Sequence, residues 1–219
     1  MTSDKQTVQA SKKSLQSANL KRAQLQEADL SEGVLVEACL EESDLSEADL
    51  CEADLSAANL KHANLHRAVL YRCRAKKTDF SNTILTQANL VEANLSGANF
   101  DQANLKESNI EGANLTDSTF KNADLSEVNL TGAFLANANL SGANFTNSEL
   151  IAADLAGSDL TEANLNNAYL NHADLSGANL KSTLNLTQEQ VETAFINQET
   201  LLPDSIPVIW ISKTEYKFE

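Results

Sequence analysis

From Leu15 to Leu180 every fifth residue is large and apolar, with Ala75 as the exception. Leucine fills most of these positions, and Phe80, Phe100, Ile110, Phe120 and Phe145 fill others. Two residues before each one stands a small residue, usually alanine, and the position between them is most often Asp or Asn. A period of five fits neither regular element. On an α-helix successive leucines would step by about 140° and scatter around the circumference. In a straight strand an odd spacing would send alternate leucines to opposite faces. The chain must bend once per repeat. The small residue and the leucine then face inward from a short extended piece, and the next two residues form an outward corner. Asn, Asp, Ser and Gly are frequent around the bends and suit turns. A chain that bends the same way every five residues coils, and its coils stack into a solenoid.

Units such as Ala48-Asp49-Leu50, Ala53-Asp54-Leu55, Ala93-Asn94-Leu95 and Ala98-Asn99-Phe100 resemble the pentapeptide-repeat family, in the uniform style of its cyanobacterial and plastid members. The resemblance covers about three quarters of the chain. It implies an all-β fold, a right-handed quadrilateral β-helix with four repeats per coil. Residues twenty apart then stack roughly 4.8 Å from each other, and about eight coils make a rod of roughly 40 Å. In that register Phe80, Phe100 and Phe120 fall in one interior column.

The pattern divides the chain into a polar leader at 1–13, the repeat at 14–183 and a C-terminal cap at 184–219. Thr187 and Gln190 form a capping-box pair opening a short helix through Phe195, with Val191, Ala194 and Phe195 on one face that covers the open edge of the last coil. Both prolines, Pro203 and Pro207, lie beyond the repeat. The apolar segment 206–211 either packs on the cap or pairs with a second copy as a dimer seam; packing within one chain, and a monomer, is the expectation.

The leader has Lys5, Lys12 and Lys13 but no apolar run, so neither a secretory signal nor a membrane span is expected, and the reading is cytoplasmic. Cys39 and Cys51 are expected outward on different columns and Cys73 inward, so all three are read as free thiols.

The net charge of −15 is unevenly placed. Residues 27–54 hold eleven acidic residues and no lysine or arginine, and the next stretch is basic. The acidic coils, represented by Glu27, Glu32, Glu37, Glu42, Glu47 and Glu52, form the candidate surface for a protein partner. Like charges stacked across a ladder, Glu27 on Glu47 and Glu32 on Glu52, are destabilising. Solubility competes with partner binding as the reason for keeping them. Arg67, Arg72, Arg74, Lys76 and Lys77 form a second candidate patch, competing with a set of salt bridges between coils: Glu47 with Arg67, Glu52 with Arg72, Arg72 with Glu92. Ala75 is read as repacked by its larger neighbours Cys73, Thr78 and Phe80, against a distorted coil that displays the basic patch.

Catalytic chemistry is not expected. His62, His66 and His172 lie at corners without metal-ligand spacing, and no phosphate loop, nucleophile elbow or Cys-x-x-Cys occurs. No cofactor, metal, membrane or direct nucleic-acid contact is expected. The function read from the sequence is a non-enzymatic protein-interaction scaffold or regulator with an unidentified protein partner. The alternative, which the resemblance brings, is a DNA-mimicking inhibitor or protector of the type II topoisomerase gyrase.

Overall fold

A computed structural model describes residues 5–210, 212 and 215–218. Its backbone is a four-sided coil. The middle residue of each side pairs in parallel with the residue twenty further on: Asn19 with Cys39, Asp29 with Asp49, Val34 with Asp54, and onward to Asn164 with Leu184. Each side is three residues wide, with the small residue and the leucine buried inside and the middle residue outside. Each corner is a two-residue turn, closed by bonds such as Ala23 N–H to Leu20 O at 3.0 Å.

Following the backbone donors shows why the repeat reads as it does. The central leucine donates to the coil ahead, as Leu25 N–H to Asp44 O at 2.7 Å, and so does the second corner residue, as Glu27 to Ser46 O at 2.8 Å. The middle residue donates to the coil behind, as Asp44 N–H to Ala23 O at 3.0 Å. Inside the ladder, among the described residues, the first corner N–H is the one without a backbone partner. The Asp or Asn two residues earlier accepts it, as in Ser31 to Asp29 Oδ1 at 3.1 Å and Thr131 to Asn129 Oδ1 at 2.9 Å. An outward Asp or Asn therefore completes the accounting of main-chain groups in each repeat.

The corners have one conformational demand. From Ser17 to Ser182, every fifth residue has φ between 51° and 68°. Positive φ at the second central position marks a type II turn, which favours glycine or asparagine. Gly132 meets this demand in open space, with nothing within 4 Å of where a Cβ would sit.

The phenylalanine column forms as expected. Phe80 and Phe100 stack at 4.8 Å with 4° between planes, and Phe100 and Phe120 at 4.7 Å with 5°. Ala75 is wholly buried and its coil keeps its register, since Arg74 pairs with both Asp54 and Asn94. The local change is at Thr78, whose Oγ1 donates to Leu55 O at 2.7 Å while its N–H stretches to 3.4 Å from Ala75 O. Phe100 and Phe120 follow Leu95 and Leu115 along the coil, so phenylalanine does not by itself demand an alanine five residues before it.

Both ends depart from the sequence-drawn boundaries. Within the polar leader, α1 (Lys5–Ala10) buries Val8, and a 3-10 turn follows at Lys12–Ser14. Lys12 O accepts from Val34 N–H at 2.7 Å, which starts the ladder. Gly33 takes the place of the usual inward alanine, because a Cβ there would lie 2.7 Å from Leu30 O and 3.3 Å from Lys12 O. At the other end α2 spans Gln188–Glu192, shorter than the expected helix, with both bonds of the Thr187/Gln190 capping box formed. Val191 is buried, but Phe195 is 58 % exposed and not on a helix face. The ladder runs past 183, with Phe195 pairing Asp174 and Leu201 pairing Asn179. Ala194-Phe195-Ile196 is thus a displaced repeat unit, two buried residues around an outward one. In the segment 206–211, β1 (Val208–Trp210) pairs antiparallel with β2 (Tyr216–Phe218), Ile206 is buried, and residue 211 is outside the described residues.

Candidate functional site

The six candidate glutamates occupy six successive positive-φ corners, at φ values from 51° to 58°. Because corners advance by a quarter of a coil, the six wind around all four edges of the rod. Glu37 and Glu42 lie on the two edges away from the others, where Glu37 accepts from Ser17 Oγ at 3.1 Å and Glu42 from Arg22 Nε at 2.7 Å. Glu27, Glu32, Glu47 and Glu52 instead flank a single side, whose middle residues are Asp29 and Asp49. Two stacked rungs of three carboxylates result. The sequence singles out the glutamates but not Asp29 and Asp49, which belong to the same side once four repeats make a coil.

Part of this side is neutralised from the N-terminal turn. Lys12 Nζ lies 2.7 Å from Asp29 Oδ1, and this bond, with the hydroxyl and N–H of Ser31 adding to it, holds the Asp29 carboxyl down to about 2. Lys13 lies 2.9 Å from Glu32 and likewise lowers its pKa. Among the described residues, the carboxylates of Glu27, Glu47 and Glu52 have neither hydrogen bond nor ion pair. Asp49 accepts from Cys51, from its corner N–H at 2.9 Å and from its thiol.

The basic residues do not form the expected pairs with the acidic coils below. Arg67 Nε donates forward to Gln87 Oε1 at 2.8 Å and Arg72 Nε forward to Glu92 Oε2 at 2.6 Å, so neither Glu47 nor Glu52 is engaged. Arg22 to Glu42 and Gln87 to Glu107 have the same donor direction, whereas Asn167 Nδ2 donates back to Asn147 Oδ1 at 3.2 Å. Arg74, on the middle of its side, reaches back to Asp54 at 3.1 Å. The guanidinium of Arg72 also lies 4.9 Å from the centre of the Tyr71 ring. Lys76 and Lys77 share the next corner and have no ion pair among the described residues. The second patch is therefore partly satisfied, with Arg67 and Arg72 directly above the acidic rungs on the same side.

Cys39, Cys51 and Cys73 are free, and burial pushes the thiol of Cys51 up to about 11 and that of Cys73 up to about 12. Neither is a thiolate nucleophile near neutral pH. Among the described residues no cluster of His, Cys, Asp and Glu has the arrangement of a metal site, and no helix is long and apolar enough to cross a membrane.

Comparison with known proteins agrees with the geometry. The family model for the pentapeptide repeat region matches residues 61–130, and that for pentapeptide repeats (8 copies) matches 14–46, 123–161 and 148–184. HetL, a pentapeptide repeat protein involved in heterocyst differentiation regulation in the cyanobacterium Nostoc sp. strain PCC 7120, is 30 % identical over 88 % of this chain and 94 % of its own, with a TM-score of 0.40. A pentapeptide repeat protein from the Arabidopsis thaliana thylakoid lumen is 26 % identical over 51 % of this chain and 70 % of its own, with a TM-score of 0.35. QnrB1, a plasmid-mediated fluoroquinolone resistance protein, is 18 % identical over 76 % of this chain and 82 % of its own, with a TM-score of 0.42. No curated protein matches the sequence.

Proposed function

Since the chain belongs to the pentapeptide-repeat family, we propose that it is a non-enzymatic interaction scaffold or regulator whose acidic side, built on Glu27, Asp29, Glu32, Glu47, Asp49 and Glu52, binds a basic protein surface. The carrying observation is conformational. From Gly97 onward more than half of the positive-φ corners of the ladder are glycine or asparagine, whereas from Ser17 to Glu92 none is glycine and Asn82 is the single asparagine. Glutamate in the left-handed region carries a conformational cost of about 1 kcal/mol or more per residue. Six successive corners accept that cost, as Ala57, Arg67 and Lys77 also do, and where Glu27 stacks on Glu47 and Glu32 on Glu52 like charges add to it. Solubility needs acidic residues somewhere on the surface, not at these strained positions or stacked over one another.

A partner meeting this side would contact the carboxylates of Glu27, Glu47, Asp49 and Glu52, which pair with no lysine or arginine among the described residues, and would be steered there by their field. The gyrase-directed reading is less well supported. Arg67 and Arg72 cap the acidic rungs on the same side, so the negative column is too short to imitate a duplex. Affinity capture from the source organism tests the proposal. The expected result is a partner with a basic surface, retained at low salt and released as salt rises, with no effect of the chain on gyrase supercoiling. Inhibition or protection of gyrase would replace the proposal by the DNA-mimic reading.

A further inference from the structure

One side of the rod lacks its last rung. On the other three sides the final leucines donate to the coil ahead: Leu165 N–H to Leu184 O at 2.9 Å, Leu175 to Phe195 O at 2.8 Å, and Leu180 to Leu201 O at 2.8 Å. On the fourth side, one coil lower, Leu150 N–H donates to Tyr169 O and Asn147 N–H to Asn166 O, both at 2.9 Å. Their counterparts above, the N–H groups of Leu170 and Asn167, donate to no group among the described residues. The reason is the chain path. After Leu184 the chain leaves the ladder, forms α2 and rejoins at Phe195. Gln190 Nε2 covers Leu165 O at 2.9 Å and Ala168 O at 2.8 Å, and Val191 closes the core beneath. Two main-chain donors are left facing the space beside α2. That space is a groove of about 460 Å³, lined among others by Asn147, Asn167, Tyr169, Asn171, Asn185 and Glu189.

We propose that this groove receives a short peptide segment of a partner protein, bent as the chain bends at Asn167 (φ 55°), whose carbonyls supply the missing rung. The donors of Leu170 and Asn167 call for two acceptors three residues apart, the spacing at which Tyr169 and Asn166 serve the coil below. A peptide backbone that turns between them carries both carbonyls to one side, and main-chain pairing along an open edge draws its affinity from such bonds. An unpaired main-chain N–H beside a largely buried residue is rare and calls for a partner; Leu170 is only 2 % exposed. The lining is rich in side-chain amides, which accept from and donate to peptide groups, and the 56 % exposed ring of Tyr169 offers one apolar contact. Glu189 is the only charged residue of the lining, so the segment is neutral or basic. This site lies at the opposite end from the acidic side and does not rest on that reading.

The probe is a displayed random heptapeptide library, selected on the full chain, with the enriched peptides then synthesised. Amide exchange measured by NMR on the labelled protein should show Leu170 and Asn167 slowed about tenfold or more at saturation, while Leu165 and Leu175 stay unchanged. Asn171→Trp, at an exposed corner, should fill the groove and weaken binding about tenfold or more. Tyr169→Ala should weaken it less and leave the two amides protected. The proposal is overturned if no peptide is enriched, if enriched peptides leave the Leu170 amide unprotected or bind Asn171→Trp equally well, or if maltotriose, a neutral probe for an amide-lined and aromatic groove, protects that amide when the peptides do not.

Discussion

Arg72 reaches forward rather than back: its Nε lies 2.6 Å from Glu92 Oε2 in the next coil, and it makes no ion pair with Glu52 in the coil behind. A double-mutant cycle should therefore show coupling between Arg72 and Glu92 that fades with added salt, and weaker coupling between Arg72 and Glu52. Coupling to Glu52 of equal size would contradict the preference of Arg72 for Glu92.

The corner conformation predicts gains and losses that contacts do not. Glu47→Gly should stabilise the chain by about 0.5–1 kcal/mol, because its φ of 58° suits glycine. Gly132→Ala, where the added Cβ meets open space, should cost about 1 kcal/mol from backbone strain alone. Thermal or denaturant unfolding reads both, at about 2–4 °C per kcal/mol for a chain of this size.

Buried hydroxyls in the alanine positions divide into two kinds. Ser148 Oγ and Ser158 Oγ have no partner among the described residues, whereas Ser118 Oγ donates to Leu115 O at 2.6 Å. Ser148→Ala should be neutral or stabilise by up to about 1 kcal/mol, and Ser118→Ala should not stabilise. A loss at Ser148 as large as at Ser118 would show that its hydroxyl is in fact bonded.

Asp29 sets a pH response. Its pKa is held at about 2 by Lys12, below the ordinary value of 3.8. The stabilising contribution is thus present above about pH 4 and is lost as pH falls towards 2. Asp29→Asn should remove that part of the acid sensitivity, and unfolding midpoints of both proteins between these pH values check it.

Much of the fold was legible because inward positions announce themselves. Leucine every fifth residue and alanine two before it are the buried positions themselves, so the coil, its register and the Phe80–Phe100–Phe120 stack followed from spacing once four repeats were assigned to a coil. The C-terminal coil was less legible. Ala194-Phe195-Ile196 and Thr200-Leu201-Leu202 keep the triplet of an outward residue between two inward ones, but α2 and an added residue displace them from the period, and Phe195 reads as a helical contact. The corner conformation was not legible at Glu27 or Glu47, since glutamate carries no signal for positive φ. That Arg67 and Arg72 take Gln87 and Glu92 rather than Glu47 and Glu52 was not legible either, since the twenty-residue register places a polar partner on both sides of each. Asp29 and Asp49 looked like turn-forming residues alone, because one outward oxygen serves the corner N–H while its carboxylate also joins the acidic side.

The central claim is that Glu27, Glu47 and Glu52 hold strained, unpaired positions because a partner uses them. It is tested most directly by comparing partner recovery on the wild-type chain with that on a Glu27→Asn, Glu47→Asn, Glu52→Asn variant, at equal bait and low salt. Asparagine suits positive φ and keeps a polar side chain, so the variant should fold at least as stably. The account predicts that it loses the partner. Recovery of the same partner in the same amount would contradict it and leave the acidic side as a solubilising surface.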